Sequence, residues 1–288
     1  MLSHLGQLSR QKDTKSLIKR QELLNVMVFI RTAARSVPGI RAFSTGRILR
    51  HELSYQVWGP ENEQAVRDPI LFLHGLFGSK QNNRSIGNVM AEDVQEFMQQ
   101  QKLEKCVLIG HSMGAKAAMA VALRSPERVS ALIPVDNAPV NAALKSDFGK
   151  YIQGMQQIEE AKVSKQSDAD KILQEYEESL PIRYFLLTNL VRSEEDRTMK
   201  FRVPLSVLGR SLDDMADFPY SDSDNVQYKG PTLFVRGTKS QYVSGKTVPA
   251  IKKFFPNAQI ADVDAGHWLI SEKPEEFRQA VVKFLGSS

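Results

Sequence analysis

A serine lies between two glycines in the segment Gly110-His111-Ser112-Met113-Gly114. The apolar run CVLI precedes this segment and an alanine-rich stretch follows it, so we expect a strand to turn directly into a helix here. Glycine two residues before and after the serine relieves the crowding of such a turn and leaves the hydroxyl exposed at the strand tip. The pattern therefore predicts that Ser112 is a nucleophile.

A serine hydroxyl needs a neighbouring base to react, and the chain has five histidines. Four of them lie in the N-terminal segment, before the first expected strand, or within turns of their own. These four are His4, His51, His74 and His111. His267 lies in the segment DAGHW, after the last expected strand, where it can reach the tip of the serine strand. The sequence therefore predicts His267 as the general base.

The base needs a carboxylate that orients its ring and stabilises the imidazolium. One expected position is the loop RGTKSQYV, which contains no acidic residue. Asp136 ends the preceding strand segment ALIPVD, at a strand tip that adjoins that of Ser112 in a parallel sheet. Asp264 is the rival, but it lies only three residues before His267 and is too local to reach back to the ring. We therefore predict that Asp136 is the acid. The simpler alternative is that its side chain caps the turn before Asn137.

An oxyanion site for such a serine needs two N–H donors. The first predicted donor is the backbone of Met113, which follows the nucleophile at the start of a helix. The second is the backbone of Leu76, with Phe77 as an alternative, in the turn HGLFG. His74 and Gly75 are expected to shape that turn and not to take part in the chemistry.

Strand and helix segments alternate along the rest of the chain, which predicts a mostly parallel sheet with helices on both faces. Residues 46–139 and 230–288 form the expected α/β core. Residues 140–229 read as helices and polar loops, and we expect a helical lid there, over the carboxyl ends of the strands.

The one cysteine, Cys106, cannot form an intramolecular disulfide and is expected to be a buried small residue. No apolar window is long enough to predict a membrane span.

The first 50 residues contain ten Lys and Arg but two acidic residues, whereas the remaining residues contain 28 basic and 31 acidic ones. The excess positive charge thus belongs to the N-terminal segment and does not indicate a nucleic-acid surface. From Met27 the segment is rich in Arg, Ser and Ala and lacks acidic residues, as mitochondrial transit peptides do. We expect a mitochondrial protein whose residues 1–45 lie outside the fold, the alternative being a disordered basic tail.

The segments HGLFGSKQNNRS, GHSMGAKAAMAVAL, VDNAPV, RSLDDM and AGHW, in this order, resemble one subgroup of the α/β-hydrolase fold. That subgroup contains the mitochondrial abhydrolase-domain-eleven proteins, bacterial short-chain esterases and yeast mitochondrial ethanol acetyltransferases, and the resemblance covers roughly residues 50–288. It implies serine-dependent hydrolysis of small acyl esters or thioesters, or transfer of acetyl from acetyl-CoA to an alcohol. Acetyl-CoA would be a substrate, and no bound cofactor or metal is implied. In this subgroup the acid follows the strand after the nucleophile helix, which agrees with Asp136.

The sequence departs from this family between the HG turn and the nucleophile, where only 38 residues separate His74 from Ser112. The family places a helix and a further strand, ending in a D-x-R-x-x-G-x-S turn, in this interval, and that strand lies inside the sheet. Its loss predicts a broken ladder, or direct pairing of LSYQVWG with PILFLHG, and an exposed apolar strand edge. The alternative to an active enzyme is therefore a catalytically impaired relative with a binding or scaffolding role.

Overall fold

The computed structural model describes residues 27–31, 54–58, 68–75, 86–141, 147–210, 212 and 217–287. Within these residues seven strands form one sheet and two short strands form a separate hairpin. In chain order the strands are β1 (Met27–Arg31), β2 (Ser54–Trp58), β3 (Ile70–Leu73), β4 (Cys106–His111), β5 (Val129–Val135), β6 (Leu190–Arg192), β7 (Met199–Phe201), β8 (Thr232–Gly237) and β9 (Ala258–Val263).

The helices fall between these strands, as the alternating sequence pattern predicts. In chain order they are α1 (Ile86–Gln100), α2 (Met113–Arg124), α3 (Asp147–Glu160), α4 (Gln166–Leu173), α5 (Leu180–Leu187), α6 (Leu205–Arg210), α7 (Val248–Phe254), α8 (Leu269–Glu272) and α9 (Pro274–Ser287). Within the part of the chain that the structure describes, no helix is both long and apolar enough to cross a membrane.

The large sheet has the strand order β2-β1-β3-β4-β5-β8-β9, and every neighbouring pair except β1 and β2 is parallel. The predicted mostly parallel sheet is therefore confirmed. Strand β4 is buried at every position, as expected for an apolar run covered on both faces. Because the strands are parallel, the carboxyl ends of β3, β4, β5 and β8 lie along the same edge of the sheet.

Apolar side chains cover both faces of this sheet. On one face Val94 of α1, Met119 of α2 and Ile251 of α7 belong to a single buried cluster. On the other face α9 contributes Phe277 and Phe284 to a second cluster with the sheet. Burial of large apolar side chains stabilises each by about 1.5–3 kcal/mol, so the two clusters fix the strand edge on which the site is built.

Strand β1 corrects two expectations from the sequence. It lies between β2 and β3, pairing antiparallel with β2 and parallel with β3. The exclusion of residues 1–45 from the fold is therefore wrong for Met27–Arg31, and LSYQVWG does not pair directly with PILFLHG. The physical reason is that β3 would otherwise present an apolar edge of unpaired N–H and C=O groups, which the apolar run MVFI satisfies. Among the described strands the sheet is therefore continuous from β2 to β9.

Elements α3 to α6 and the β6–β7 hairpin occupy the region where a helical lid is expected. The hairpin was not predicted, because IRYFLLTNLV reads as one continuous helix. Helix α5 instead ends at Leu187, and the Thr188 hydroxyl donates a hydrogen bond to the Phe185 carbonyl (2.6 Å). Such local bonds compete with the helical ladder and favour termination. Strand β6 then begins at Leu190.

Candidate active site

Three side chains from different parts of the chain form one continuous hydrogen-bonded chain. The Ser112 hydroxyl donates to Nε2 of His267 over 2.9 Å. The His267 Nδ1–H donates to Oδ2 of Asp136 over 2.7 Å. Ser112 and Asp136 are buried, and the His267 side chain is 11% exposed. The structure thus brings together the three residues that the sequence analysis selected, in an order that can move a proton from the serine hydroxyl to the imidazole.

Asp136 is held where its carboxylate faces the histidine. It directly follows β5, has a positive φ of 48° and is fully buried. Its second oxygen, Oδ1, accepts a hydrogen bond from the backbone N–H of Gly237 at the end of β8 (3.1 Å). Both oxygens therefore have partners, so the buried charge is satisfied.

The rival carboxylate, Asp264, faces away from the histidine ring. Its side chain is 71% exposed and forms an ion pair with Lys239 (3.1 Å) and a hydrogen bond with Thr238 (3.3 Å). The Lys239 ammonium holds the pKa of Asp264 below its usual value. Asp264 is therefore bound on the outer side of its loop, and Asp136 alone of the two contacts His267.

The turn that carries Ser112 has the strained backbone that the motif predicts. Ser112 has φ 55° and ψ −116°, outside the regions that ordinary residues favour. A Cβ on Gly110 would overlap the backbone oxygen of Gly114, and a Cβ on Gly114 would overlap the backbone oxygen of Leu73 in β3. Both clashes are with backbone atoms, which cannot rotate away. Glycine is therefore required at both positions for β4 to turn directly into α2.

We expect Gly114→Ala to destabilise the protein by about 3 kcal/mol or to prevent folding, because its methyl group would push α2 away from β3. Gly149→Ala is the matched control, since a Cβ there meets no atom within 4 Å on the helix α3. Thermal unfolding of both variants checks the prediction. It is wrong if Gly114→Ala unfolds at the same temperature as the wild type.

Of the predicted oxyanion donors, the structure describes Met113 alone. Met113 is the first residue of α2, where backbone N–H groups lack a partner within the helix. Leu76 and the alternative Phe77 lie outside the described residues. The chain leading to them passes close to the nucleophile, since a Cβ on Gly75 would lie 3.1 Å from Cβ of Ser112. Gly75 thus allows this turn to approach the serine.

Aromatic rings surround His267. The ring of Tyr242, from the loop after β8, lies 4.3 Å from the imidazole between centroids. Trp268 lies at 5.5 Å and Phe148 of α3 at 5.8 Å, both edge-on. Phe185 of α5 lies 4.7 Å from Trp268 between centroids, with the two rings tilted by 45°. Helices α3 and α5 therefore contribute aromatic rings to an apolar wall beside the base, which suits the acyl part of a substrate.

Two side chains beside the serine have contacts that sequence reasoning did not foresee. Asn137 donates from Nδ2 to the backbone oxygen of Ser112 (3.0 Å) and so supports the strained turn. His111 points its Nε2 at the backbone oxygen of His267 (2.8 Å). Burial, reinforced by the neighbouring His267, lowers the pKa of His111 to about 4. In the sequence, only its residue type distinguishes His111. A histidine within this turn can either take part in the reaction or support the structure, and the type does not separate the two roles.

Comparison with known proteins identifies the family of the fold. Residues 85–274 match the family described as alpha/beta hydrolase fold. The chain is 38% identical to abhydrolase domain-containing protein C22H12.03 of Schizosaccharomyces pombe, over 77% of this chain and 94% of that protein. It is 35% identical to the sn-1-specific diacylglycerol lipase ABHD11 of Xenopus laevis, over 82% of this chain and 85% of the relative. It is 32% identical to a probable alcohol acetyltransferase of Saccharomyces cerevisiae, over 78% and 79% of the two chains.

A solved structure gives the same result for the fold. A marine microorganism esterase superposes with a TM-score of 0.68 at 27% identity, covering 75% of this chain and 95% of that one. The subgroup predicted from the five sequence segments is thereby confirmed. The chain belongs to the α/β-hydrolase fold family, in the subgroup that contains the ABHD11 lipases and the yeast alcohol acetyltransferases.

Proposed function

We propose that this protein is a serine hydrolase that acts on small acyl esters or thioesters through an acyl-enzyme. The observation that carries the proposal is the hydrogen-bonded chain from Ser112 through His267 to Asp136. Distances of 2.9 and 2.7 Å are within the range for proton transfer along such a chain. Membership of a family with lipase, esterase and acetyltransferase relatives agrees with it.

In the proposed reaction Ser112 Oγ attacks the acyl carbonyl carbon while His267 Nε2 takes the hydroxyl proton. The Asp136 carboxylate holds His267 with Nδ1 protonated and stabilises the imidazolium. The negative oxygen of the tetrahedral intermediate accepts hydrogen bonds from the backbone N–H of Met113 and of Leu76. His267 then protonates the leaving alcohol or thiol, which departs and leaves the acyl group on Ser112. Water or an alcohol, deprotonated by His267, then attacks the acyl carbonyl carbon. The bond from that carbon to Ser112 Oγ breaks, and His267 returns its proton to Oγ.

The substrate class follows from the walls of the site and from the relatives. The aromatic rings of Phe148, Tyr242 and Trp268 around the base favour an uncharged acyl group. Diacylglycerol lipase and alcohol acetyltransferase relatives both transfer a carboxylic acyl group, the first to water and the second to an alcohol. Acetyl-CoA is therefore proposed as one acyl donor among substrates, with no resident cofactor.

Hydrolysis of p-nitrophenyl acetate and of acetyl-CoA by the full-length protein tests the proposal. We expect Asp136→Asn to lower kcat by about ten-thousand-fold, because an uncharged amide cannot stabilise the imidazolium or fix the histidine tautomer. Asp264→Asn should keep wild-type activity, because that side chain binds Lys239 on the outside of the loop. A folded wild-type protein without activity on either substrate would refute the function. Equal losses in the two variants would refute the role of Asp136.

We also propose a mitochondrial location, which the basic, acid-free composition after Met27 supports. The segment RAFST, residues 41–45, resembles the arginine-guided cleavage sites of mitochondrial targeting peptides. Strand β1 limits where a targeting peptide can end, because cleavage near RAFST would remove Met27–Arg31 from the sheet. We therefore propose that β1 is retained in the mature protein. Sequencing the N-terminus of the protein from isolated mitochondria would test both points, since a start after residue 31 contradicts retention.

A further inference from the structure

His111 occupies an unusual place for a buried histidine. It precedes Ser112 directly, at the end of β4, and only 7% of its surface is exposed. Its Nε2 lies 2.8 Å from the backbone oxygen of His267, and the two imidazole rings are 5.0 Å apart. On its other side, Nδ1 faces Gly75, where an added Cβ would lie 3.3 Å away. The ring thus fills the space between the loop of the base and the turn after β3.

The hydrogen bond fixes the protonation of this ring. A carbonyl oxygen can only accept, so the proton must be on Nε2 of His111. Burial and the adjacent His267 lower its pKa to about 4, with Asp136 and His74 as the other charged or titratable neighbours. His111 therefore stays a neutral donor while His267 gains and loses a proton. A second positive ring at this distance would oppose the imidazolium that the reaction requires.

Two crosslinks then join the same pair of chain segments. One is the side-chain bond from Ser112 to His267, and the other is the bond from His111 to the His267 backbone. The first crosslink disappears once Ser112 carries an acyl group, because its hydroxyl proton has gone. The second does not involve Ser112 and persists. It can hold the base in place while water or an alcohol approaches the acyl-enzyme.

We propose that His111 is a positioning residue, whose Nε2–H anchors the backbone of His267 to the strand of the nucleophile and keeps the base within reach of Ser112. This inference rests on the proposed function, because positioning has a kinetic meaning only if His267 is the base. The ring of His267 is held by Asp136, and its loop by the bonds from the Gly266 N–H to Glu272 and from the Lys239 N–H to Ala265. The bond from His111 differs from these because it joins the backbone of His267 itself to β4.

Substitutions at His111 can separate positioning from packing. The amide nitrogen of glutamine stands as many bonds from Cβ as Nε2 of histidine, whereas that of asparagine matches Nδ1. We therefore expect His111→Gln to keep the bond and His111→Asn and His111→Leu to lose it. A misplacement of about 1 Å at a reacting group can cost about a hundred-fold in rate. With p-nitrophenyl acetate, we expect kcat to fall about 10- to 100-fold in the Leu and Asn variants, with little change in KM.

His111→Gln should stay within about threefold of the wild-type kcat, which a purely structural role would not predict. Tyr228→Phe is the matched control, because it also removes a buried bond from a side chain to a backbone carbonyl, that of Val129 (3.0 Å), but away from the site. It should lose stability and keep kcat. The proposal is overturned if His111→Leu keeps the wild-type kcat, or if Gln is no better than Leu.

A crystal structure of His111→Leu provides a measurement that does not depend on turnover. The expected result is a displaced His267 carbonyl and a distance between Nε2 of His267 and Oγ of Ser112 beyond about 3.5 Å. An unchanged distance of 2.9 Å would overturn the proposal even if the wild type proved inactive. Lack of activity in the wild type, by contrast, refutes the proposed function alone.

Discussion

Replacing Ser112 by alanine is expected to lower ester hydrolysis by about a million-fold, which leaves only the small residual rate that substrate binding and the oxyanion donors support. Without Oγ there is no atom that can form the acyl-enzyme, and His267 and Asp136 have no proton to relay. The same change should abolish labelling by a fluorophosphonate, which reacts only with an activated serine. Stability should change little, because the φ of 55° at Ser112 is set by the neighbouring glycines and not by its hydroxyl.

The measurement compares full-length wild type, Ser112→Ala and Ser130→Ala with a fluorescent fluorophosphonate and with p-nitrophenyl acetate. Ser130 is the matched control, since it lies on the neighbouring strand β5 and its buried hydroxyl has no hydrogen-bond partner among the described residues. The Ser130→Ala protein should still be labelled at Ser112 and should keep full activity. Labelling that survives in Ser112→Ala would show that another residue is the nucleophile.

The residues of the candidate site could be predicted because each obeys a local rule. Steric crowding at a strand-to-helix turn demands glycine at 110 and 114, and this identifies Ser112 without a structure. Of the five histidines, His267 is the one placed to act as the base. The loop RGTKSQYV contains no acidic residue, which favours Asp136 as the acid. Such rules involve only a few neighbouring residues or the ends of strands, and these can be recognised in the sequence.

Contacts between distant segments could not be predicted in the same way. The bond from His111 to the His267 backbone joins residues 156 apart, and nothing in GHSMG distinguishes a buried donor from a chemical group. Similarly, the hairpin of β6 and β7 depends on pairing between Leu190 and Phe201, although the first of these continues a helical pattern. Tertiary pairing outweighs local propensity in both cases.

Strand β1 shows the same limit on a larger scale. The arginines that follow MVFI give this part of the sequence the composition of a targeting peptide, and that composition does not predict a strand. Its place in the sheet depends on pairing with β3, which is distant in sequence. The backbone register places Met27 opposite Ile70 and Ile30 opposite Leu73. The composition of a segment indicates which class of peptide it resembles, but its position in the fold depends on hydrogen-bond pairing with other strands.

We expect removal of residues 1–45 to abolish soluble expression or cooperative unfolding, whereas removal of residues 1–26 should be tolerated. The protein that starts at residue 46 lacks β1. Strand β2 then has no partner in the sheet, and β3 becomes an apolar edge strand that is prone to aggregation. The chain that begins at Met27 keeps every strand that the structure describes. Solubility, size-exclusion profile and thermal unfolding of the two proteins, beside the full chain, measure the difference.

A single substitution within β1 separates its pairing from the mere presence of the segment. Val28→Pro removes one backbone N–H from a strand that is paired on both sides, and proline is excluded from such central strands. We expect a loss of about 1–3 kcal/mol in the free energy of unfolding, because a ladder hydrogen bond is lost and its carbonyl acceptor is left without a partner. A soluble, cooperatively folding and active protein that starts at residue 46 would contradict this role. It would mean that the sheet closes without β1 and that cleavage near RAFST is compatible with the active site.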